Sequence, residues 1–527
     1  MFRISALLTV FVLLVAASDL RSRQGDQSHV IDGPYAYLLA SSADLGPAQS
    51  NRVQITAALH DAHRPDALID WAQNNGLLVR WRPGDDWAIL EGAPADVADS
   101  FGVPVHDYRG RRGQVFYASS EQPSIPSGLR REISELGRIL GYTPHHLELP
   151  RFPRTEPRRS GLTPAELLSA YNANGLAAAG FTGKGTTIVF FEFDGFDQDD
   201  LDSFADLSGL PLFRPILVGG QPDVPTGETT MDLEVAHAIA PDARLVVVNA
   251  VPTLQGDGNF EKIARMFEDA DRQFPGAVWS LSVGWACDKL LTAADLAPIR
   301  SALTKAESHG TTAFAASGDN AGLQCKGGDD WSAPPGPSDI GLDAVSSVPE
   351  MTAVGGTALS LDEVGVWLAE QAWFNSPLST GSSGGVSALF PRPPWQHSLS
   401  AVRDPDKSHR LSPDVAAAAD PLTGARIVFK QQVLVGGGTS QSAPIWAALT
   451  AVMNQFLIAS GGHAIGGLNP LMYQIASGSP RPAFRDVRLG ANAVDTVTPG
   501  YDVITGLGSP HTENLARNIL EIQQNSQ

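Results

Sequence analysis

Two short stretches carry the residue types that acyl-transfer chemistry needs. Gly437-Gly438-Thr439-Ser440-Gln441-Ser442-Ala443-Pro444 follows the strand-like run Val433-Leu434-Val435 and leads into an apolar helix through Phe456. Ser440 is thereby expected near a helix N-terminus, where partial positive charge favours a developing anion. The glycines before it admit close approach of a substrate backbone. Pro444 is expected in the first helical turn, where its missing N–H costs little. A serine N-cap explains this stretch equally well on its own. Glu228 and Asp232, in Glu228-Thr229-Thr230-Met231-Asp232, stand at i and i+4. They share one helix face, with side chains about 5–6 Å apart. Like charges that close resist double ionisation, so one pKa rises and the glutamate becomes a usable base in mild acid. The apolar Leu233, Val235, Ala236, Ile239 and Ala240 predict a buried helix rather than a solvated acidic face. Together the two stretches describe a serine hydrolase whose base is a carboxylic acid.

Three further sets of residues bear on this chemistry. Asp319 follows a strand-like run at 311–316. Strand ends of open parallel sheets are where sites collect, and a protonated aspartate there donates to an oxyanion; an Asx turn is the plainer alternative. Asp486-Val487 and Pro499-Gly500-Tyr501-Asp502 offer hard oxygen ligands suited to calcium, although aspartates in turns are the commoner case. No His-Gly-Thr-His segment of the kind used by Ser-His-Asp peptidases is present. His237 lies five residues from Asp232, well round the helix, and reads as a packed or surface residue. Glycosidases hold two carboxylates on opposite sides of the scissile bond, which two carboxylates on one helix face cannot do.

These residues need a scaffold. Apolar, β-branched runs at 186–193, 244–250, 277–283 and 311–316 alternate with helical stretches at 259–274 and 296–309. That alternation predicts a parallel sheet covered by helices on both faces. Between residues 30 and 148 the pattern is strand, helix, hairpin, helix, strand. Val53 to Ala57 alternates, Ala67 begins an amphipathic helix ending at Gly76, and two runs flank Pro83-Gly84-Asp85. A helix to Phe101 follows, and Val103-Pro104-Val105 begins a last strand. This order predicts a small ferredoxin-like α+β domain. Residues 149–162 form a linker rich in Pro and Arg, the kind of segment proteases cut.

At 527 residues the chain is too long for one ordinary domain. Its 57 Asp and Glu against 37 Lys and Arg give a net charge of −20. That disfavours nucleic acid and anionic membranes as partners. Arg3, the apolar run from Ala6 to Ala17 and Val15-Ala16-Ala17 read as a secretory signal over residues 1–17. No later segment is expected to span a bilayer, so the mature protein is expected to be secreted. Cys287 and Cys325 are the two cysteines. In an exported protein such a pair reads as a disulfide, worth ~3–4 kcal/mol across this separation.

The ordered motifs resemble the sedolisin family, the serine-carboxyl peptidases. They include Leu162-Thr163-Pro164-Ala165-Glu166-Leu167, Ala240-Pro241-Asp242-Ala243, Val354-Gly355-Gly356-Thr357, Ser412-Pro413-Asp414-Val415 and Thr505-Gly506-Leu507-Gly508. The resemblance implies a subtilisin-like peptidase domain at 163–527 behind a removable pro-domain that inhibits it. It implies Ser440 as nucleophile, Glu228 as base, Asp232 as its orienting partner and Asp319 as the protonated oxyanion donor. It also implies one calcium held by the Asp486 and Asp502 side chains and by backbone oxygens of Val487, Thr498 and Gly500. The expected protein is a monomeric, acid-acting endopeptidase made as an autoprocessing zymogen. A tripeptidyl exopeptidase and a catalytically dead binding protein on the same scaffold are the alternatives. Val283 stands where the family usually has an aromatic, and Asp288 where it has a glutamate nearby; both bear on the substrate cleft.

Overall fold

The apolar runs alternating with helices form the parallel sheet that their composition demands. In the computed structural model the described residues are 29–143, 145–147, 161–222, 224–326, 336–376, 380–399, 403–405 and 407–525. The signal at 1–17 and most of the linker at 149–162 lie outside them. Two compact units divide the chain, one of Met1–Tyr142 with Thr292–Ala297, the other of Thr143–Leu291 with Pro298–Gln527.

The second unit is built on an eight-stranded sheet. Its order is Ile216–Val218, Arg244–Asn249, Thr187–Glu192, Val278–Leu281, Thr312–Ala316, Thr352–Leu361 and Trp367–Ala372, with Val415–Ala418 also paired to Thr352–Leu361. All pairs are parallel except Thr352–Leu361 with Trp367–Ala372. The central strand Thr187–Glu192 is buried at every position, as a strand covered on both faces must be. Helices Glu228–Ile239 and Thr439–Ala459 pack on each other, and the second also packs on Val278–Leu281 and Thr312–Ala316. Thr439–Ala459 is long and apolar enough to cross a membrane by length and composition, contrary to the sequence expectation. Its most apolar window is 83% buried, so core packing accounts for its composition.

The first unit contains a four-stranded antiparallel sheet in the order Leu78–Arg80, Trp87–Gly92, Val53–Leu59, Ile133–Leu136. Helices Asp66–Asn74 and Pro94–Phe101 sit between its strands in sequence. That is the ferredoxin-like order, with one correction. The fourth strand is Ile133–Leu136. The run expected to begin at Val103 starts as His106–Arg109 and joins a separate sheet with Ala43–Pro47 and Val115–Ala118. Pro104 lacks the N–H that a central strand needs, and Val103 and Val105 are spent on the core.

Candidate active site

Parallel strands all finish at one edge of their sheet, and the candidate residues stand on that edge. Glu192 closes Thr187–Glu192 and Asp194 lies two residues beyond. Ser282 follows Val278–Leu281, and Asp319 follows Thr312–Ala316. The N-termini of Glu228–Ile239 and Thr439–Ala459 supply Glu228 and Ser440.

Asp194 fixes the first of these helix starts. Its carboxylate accepts from the backbone N–H groups of Thr226, Gly227, Glu228 and Thr229 at 2.7, 2.9, 3.2 and 3.0 Å. It also accepts from the hydroxyls of Thr226 and Thr229 at 2.7 and 2.5 Å. The orphan donors of a helix N-terminus are thus satisfied from the turn after a neighbouring strand, and Glu228 is held in place.

Every residue of Glu228–Ile239 is buried, so Glu228 and Asp232 occupy one interior face as the spacing required. A third carboxyl, Glu192, joins them, accepting from the Thr229 hydroxyl at 3.1 Å. Burial pushes Glu228 well above the usual carboxylate range, and the charges of Asp232, Glu192 and Asp194 push it further. Burial likewise raises Glu192 and Asp232. Ser440 acts on Glu228 as a hydrogen-bond donor that favours its ionised form, although neither Glu228 oxygen nor Ser440 Oγ completes a bond of full geometry.

Gly438 brings Asp319 and Ser440 to one point. A Cβ there would lie 2.8 Å from Asp319 Oδ2 and 2.9 Å from Ser440 Oγ, too close for any side chain, so glycine is what lets both groups stand against this point. The residue has φ +95°, a conformation glycine adopts without strain. Asp319 is aimed by Thr439, whose N–H and hydroxyl each donate to Asp319 Oδ1 at 2.8 Å. The Thr439 hydroxyl in turn accepts from the Gly318 N–H at 3.0 Å.

The serine helix begins at Thr439, which puts Pro444 in the second turn, one turn later than its sequence position suggested. Ser282 compensates: its hydroxyl lies 3.2 Å from the Ser440 carbonyl and 2.7 Å from Asp232 Oδ2. His237 is 1% exposed, stacks on Phe213 with centroids 3.9 Å apart, and donates Nε2–H to the Pro211 carbonyl at 2.7 Å. It is a packed residue. Glu192, Asp194 and Ser282 are the members the motifs did not reveal. The strand-end rule that picked out Asp319 would have found them had it been applied to every strand.

Beyond Ser282, the strand Val283–Trp285 pairs antiparallel with His145–Leu147. Cys287 and Cys325 are bridged, with Cα atoms 4.8 Å apart, so their sulfurs are not free to bind metal. Asp288 is fully buried and accepts from the N–H groups of Leu342 and Ala388 at 3.1 and 2.8 Å. It braces loops rather than lining open space.

The C-terminal pair fits a hard cation. Asp486 and Asp502 are close enough that the charge of Asp486 helps, after burial, to push Asp502 up to about 6. Asp502 is oriented by the N–H groups of Ile504 and Thr505 at 2.8 and 2.9 Å and by the Thr505 hydroxyl at 2.9 Å. Asp486 accepts from the Gly500 N–H at 3.1 Å and from the exposed Arg488 at 2.6 Å. Two mutually repelling carboxyls with carbonyl-bearing loop between them would be relieved by a divalent ion. Val487, Thr498 and Gly500 lie in the same two segments.

No family model matches the chain. It is 31% identical over 490 residues to kumamolisin of Bacillus sp. (strain MN-32), covering 86% of this chain and 83% of that protein. Sedolisin of Pseudomonas sp. (strain 101) is 24% identical over 84% of this chain and 76% of its own length. Human tripeptidyl-peptidase 1 is 24% identical over 80% and 76%. A solved structure of Pseudomonas sedolisin, complexed with two molecules of pseudo-iodotyrostatin, shares the fold at a TM-score of 0.57 and 24% identity, covering 68% of this chain and 98% of that one. With that extent of identity to kumamolisin, on an α/β scaffold of this architecture, the chain belongs to the sedolisin family and is a serine-type, serine-carboxyl peptidase.

Proposed function

We propose that Ser440 is the nucleophile of an acid-acting peptidase and that Glu228 is its base. Glu228 takes the Ser440 proton as the oxygen attacks a peptide carbonyl. Asp232 holds Glu228 and shares its charge. Protonated Asp319, brought close to Ser440 at Gly438, donates to the tetrahedral oxyanion. Glu228 then returns its proton to the leaving amine, and water releases the acyl-enzyme by the reverse path. The observation that carries this reading is the convergence of Asp319 Oδ2 and Ser440 Oγ at Gly438, 2.8 and 2.9 Å from where its Cβ would stand. Near neutrality an ionised Asp319 repels the oxyanion, so the logic requires acid.

We further propose that residues 30–148 are an inhibitory pro-domain, 149–162 the linker cut on activation, and 163–527 the peptidase domain. The protein is exported after loss of 1–17, works as a monomer away from membranes, and holds one calcium between Asp486 and Asp502 that stiffens the C-terminal loops. The antiparallel seat of His145–Leu147 on Val283–Trp285 supports that strand's edge as a binding place for extended peptide. Endo-acting cleavage is our reading. The relatives named tripeptidyl-peptidase favour exo-acting release of tripeptides as the second.

One experiment tests these statements. Purified precursor is acidified with calcium, the new N-terminus is sequenced, and an N-terminally blocked test protein is digested. The expected results are a cut between residues 149 and 163 and internal fragments from the blocked protein. Normal maturation of a Ser440→Ala precursor incubated alone would refute autoprocessing. Tripeptides alone, and only from unblocked protein, would establish the second reading.

A further inference from the structure

A helix ties the carbonyl of residue i to the N–H of residue i+4. Pro444 has no N–H, so Thr439–Ala459 cannot supply the usual donor to the Ser440 carbonyl. Ser440 is completely buried, and a buried carbonyl needs a partner. Ser282 Oγ stands 3.2 Å from that carbonyl and 2.7 Å from Asp232 Oδ2. A hydroxyl has one proton to give and lone pairs with which to accept. When Asp232 is protonated, it donates to Ser282 Oγ and Ser282 donates to the Ser440 carbonyl. When Asp232 is ionised, the Ser282 proton turns to the carboxylate and the Ser440 carbonyl loses its donor.

We propose that Ser282 is a positioning residue for the reaction, a one-proton relay that anchors the backbone of the nucleophile only while Asp232 keeps its proton. This rests on the reading of Ser440 and Glu228 as nucleophile and base. It also adds something to that reading. Of two adjacent carboxyls sharing a proton, Ser282 favours the arrangement with the proton on Asp232, leaving Glu228 as the ionised member beside Ser440. The ionisable groups acting on Asp232 are Glu192 at the end of one strand, Asp194 in the turn after it, and Glu228 on its own helix. All are acidic, so none stabilises the ionised form by opposite charge. Burial raises Asp232 most, and the charge of Asp194 acts the same way, while hydrogen bonds with Ser282, Glu192 and Glu228 act against them when Asp232 is ionised.

The two roles open to Ser282 predict opposite signs. A plain donor to ionised Asp232 stabilises the charged form, so its removal would move the alkaline limb of kcat/KM to higher pH. The relay stabilises the protonated form, so its removal moves that limb to lower pH. The test uses Ser282→Ala, Ser282→Thr, Pro444→Ala and the double variant of Ser282→Ala with Pro444→Ala, made in the full chain and activated in acid. Kinetics are followed with an internally quenched peptide built from the sequence most readily cut in a digested test protein. Ser282→Ala is expected to lower kcat about tenfold at little change in KM and to bring the alkaline limb down by about half a pH unit or more. Ser282→Thr keeps wild-type behaviour within about twofold. Pro444→Ala restores an N–H to the Ser440 carbonyl. It therefore recovers most of the kcat lost in Ser282→Ala, and alone it also lowers the limb, because Ser282 is then free to serve ionised Asp232. An upward or absent shift of the limb in both single variants, or a Pro444→Ala loss that adds to that of Ser282→Ala, overturns the relay. Should Ser282→Ala fail to fold by its acid melting curve, the limb of Pro444→Ala alone decides. Wild-type activity in Ser440→Ala would instead overturn the reading on which the relay rests.

Discussion

Two buried clusters of acid in this molecule are built in opposite ways. Around Asp414, Arg410 donates to both carboxylate oxygens at 3.0 and 2.7 Å. The Tyr473 hydroxyl and the Ala353 N–H add bonds at 2.9 Å each. Arg410 and Asp414 are both 0% exposed, and the charge of Asp414 holds the guanidinium above its ordinary pKa despite burial. Around Glu228, three carboxyls converge with a fourth acid, Asp194, beside them, and every ionisable group acting on Glu228 is acidic. The first cluster has its charge cancelled and its lone pairs filled, which is how a buried ion pair becomes tolerable. The second leaves both Glu228 oxygens short of a completed bond. A fixed charge serves the architecture. Carboxyls left uncompensated at a sheet edge can exchange protons, and that suits a catalytic base.

The contrast breaks most sharply under substitution. Ser440→Ala and Glu228→Gln should each cost on the order of 10³-fold or more in acid peptidase activity while leaving the acid melting curve near that of wild type. A large loss of fold in Glu228→Gln would move that residue into the architectural class. Arg410→Met should do the reverse. It strands Asp414 as an unpaired buried acid and costs ~3–5 kcal/mol, read by denaturant unfolding. Replacing Asp414 by Leu in the same chain should recover part of that loss.

The carboxyl cluster also sets how stability follows pH. Glu228, Glu192 and Asp232 have folded-state pKa values raised by burial. Their contribution is fully present below the unfolded carboxylate range and is lost as pH rises through the raised values. The protein should therefore be most stable in acid and lose stability toward and beyond neutrality, by up to about 1.4 kcal/mol per pH unit for each group that titrates. Melting temperatures recorded from about pH 4 to about pH 8 check this, and Glu192→Gln should flatten the slope. The loops of Asp486 and Asp502, proposed to hold calcium, give the smallest effect. Chelation, or Asp502→Asn, should lower the melting temperature by a few degrees, about 1–3 kcal/mol at ordinary calcium excess, with calcium restoring the first and not the second.

Much of this was legible in the sequence, for physical reasons. The strand runs at 186–193, 244–250, 277–283 and 311–316 match Thr187–Glu192, Arg244–Asn249, Val278–Leu281 and Thr312–Ala316 to within about two residues, because fully buried strands must be apolar throughout. The i, i+4 acids and the glycines before Ser440 were readable because local spacing fixes them. Ser282, Glu192 and Asp194 were not, since their role depends on which strand ends meet which helix starts. Val103 misled because an apolar, β-branched pair around Pro104 looks like a strand. Pro444 misled because the helix begins five residues before it, at Thr439, where a threonine caps nothing of its own helix and instead aims Asp319.

The most direct test of the account is to trap the covalent intermediate. Enzyme quenched during turnover of a peptide in acid is digested and its fragments are weighed by mass spectrometry. The account predicts an acyl group on Ser440, accumulating in the wild type and forming orders of magnitude more slowly in Glu228→Gln. An acyl group on another residue, or one that reaches Ser440 at an undiminished rate without the Glu228 carboxyl, would contradict it.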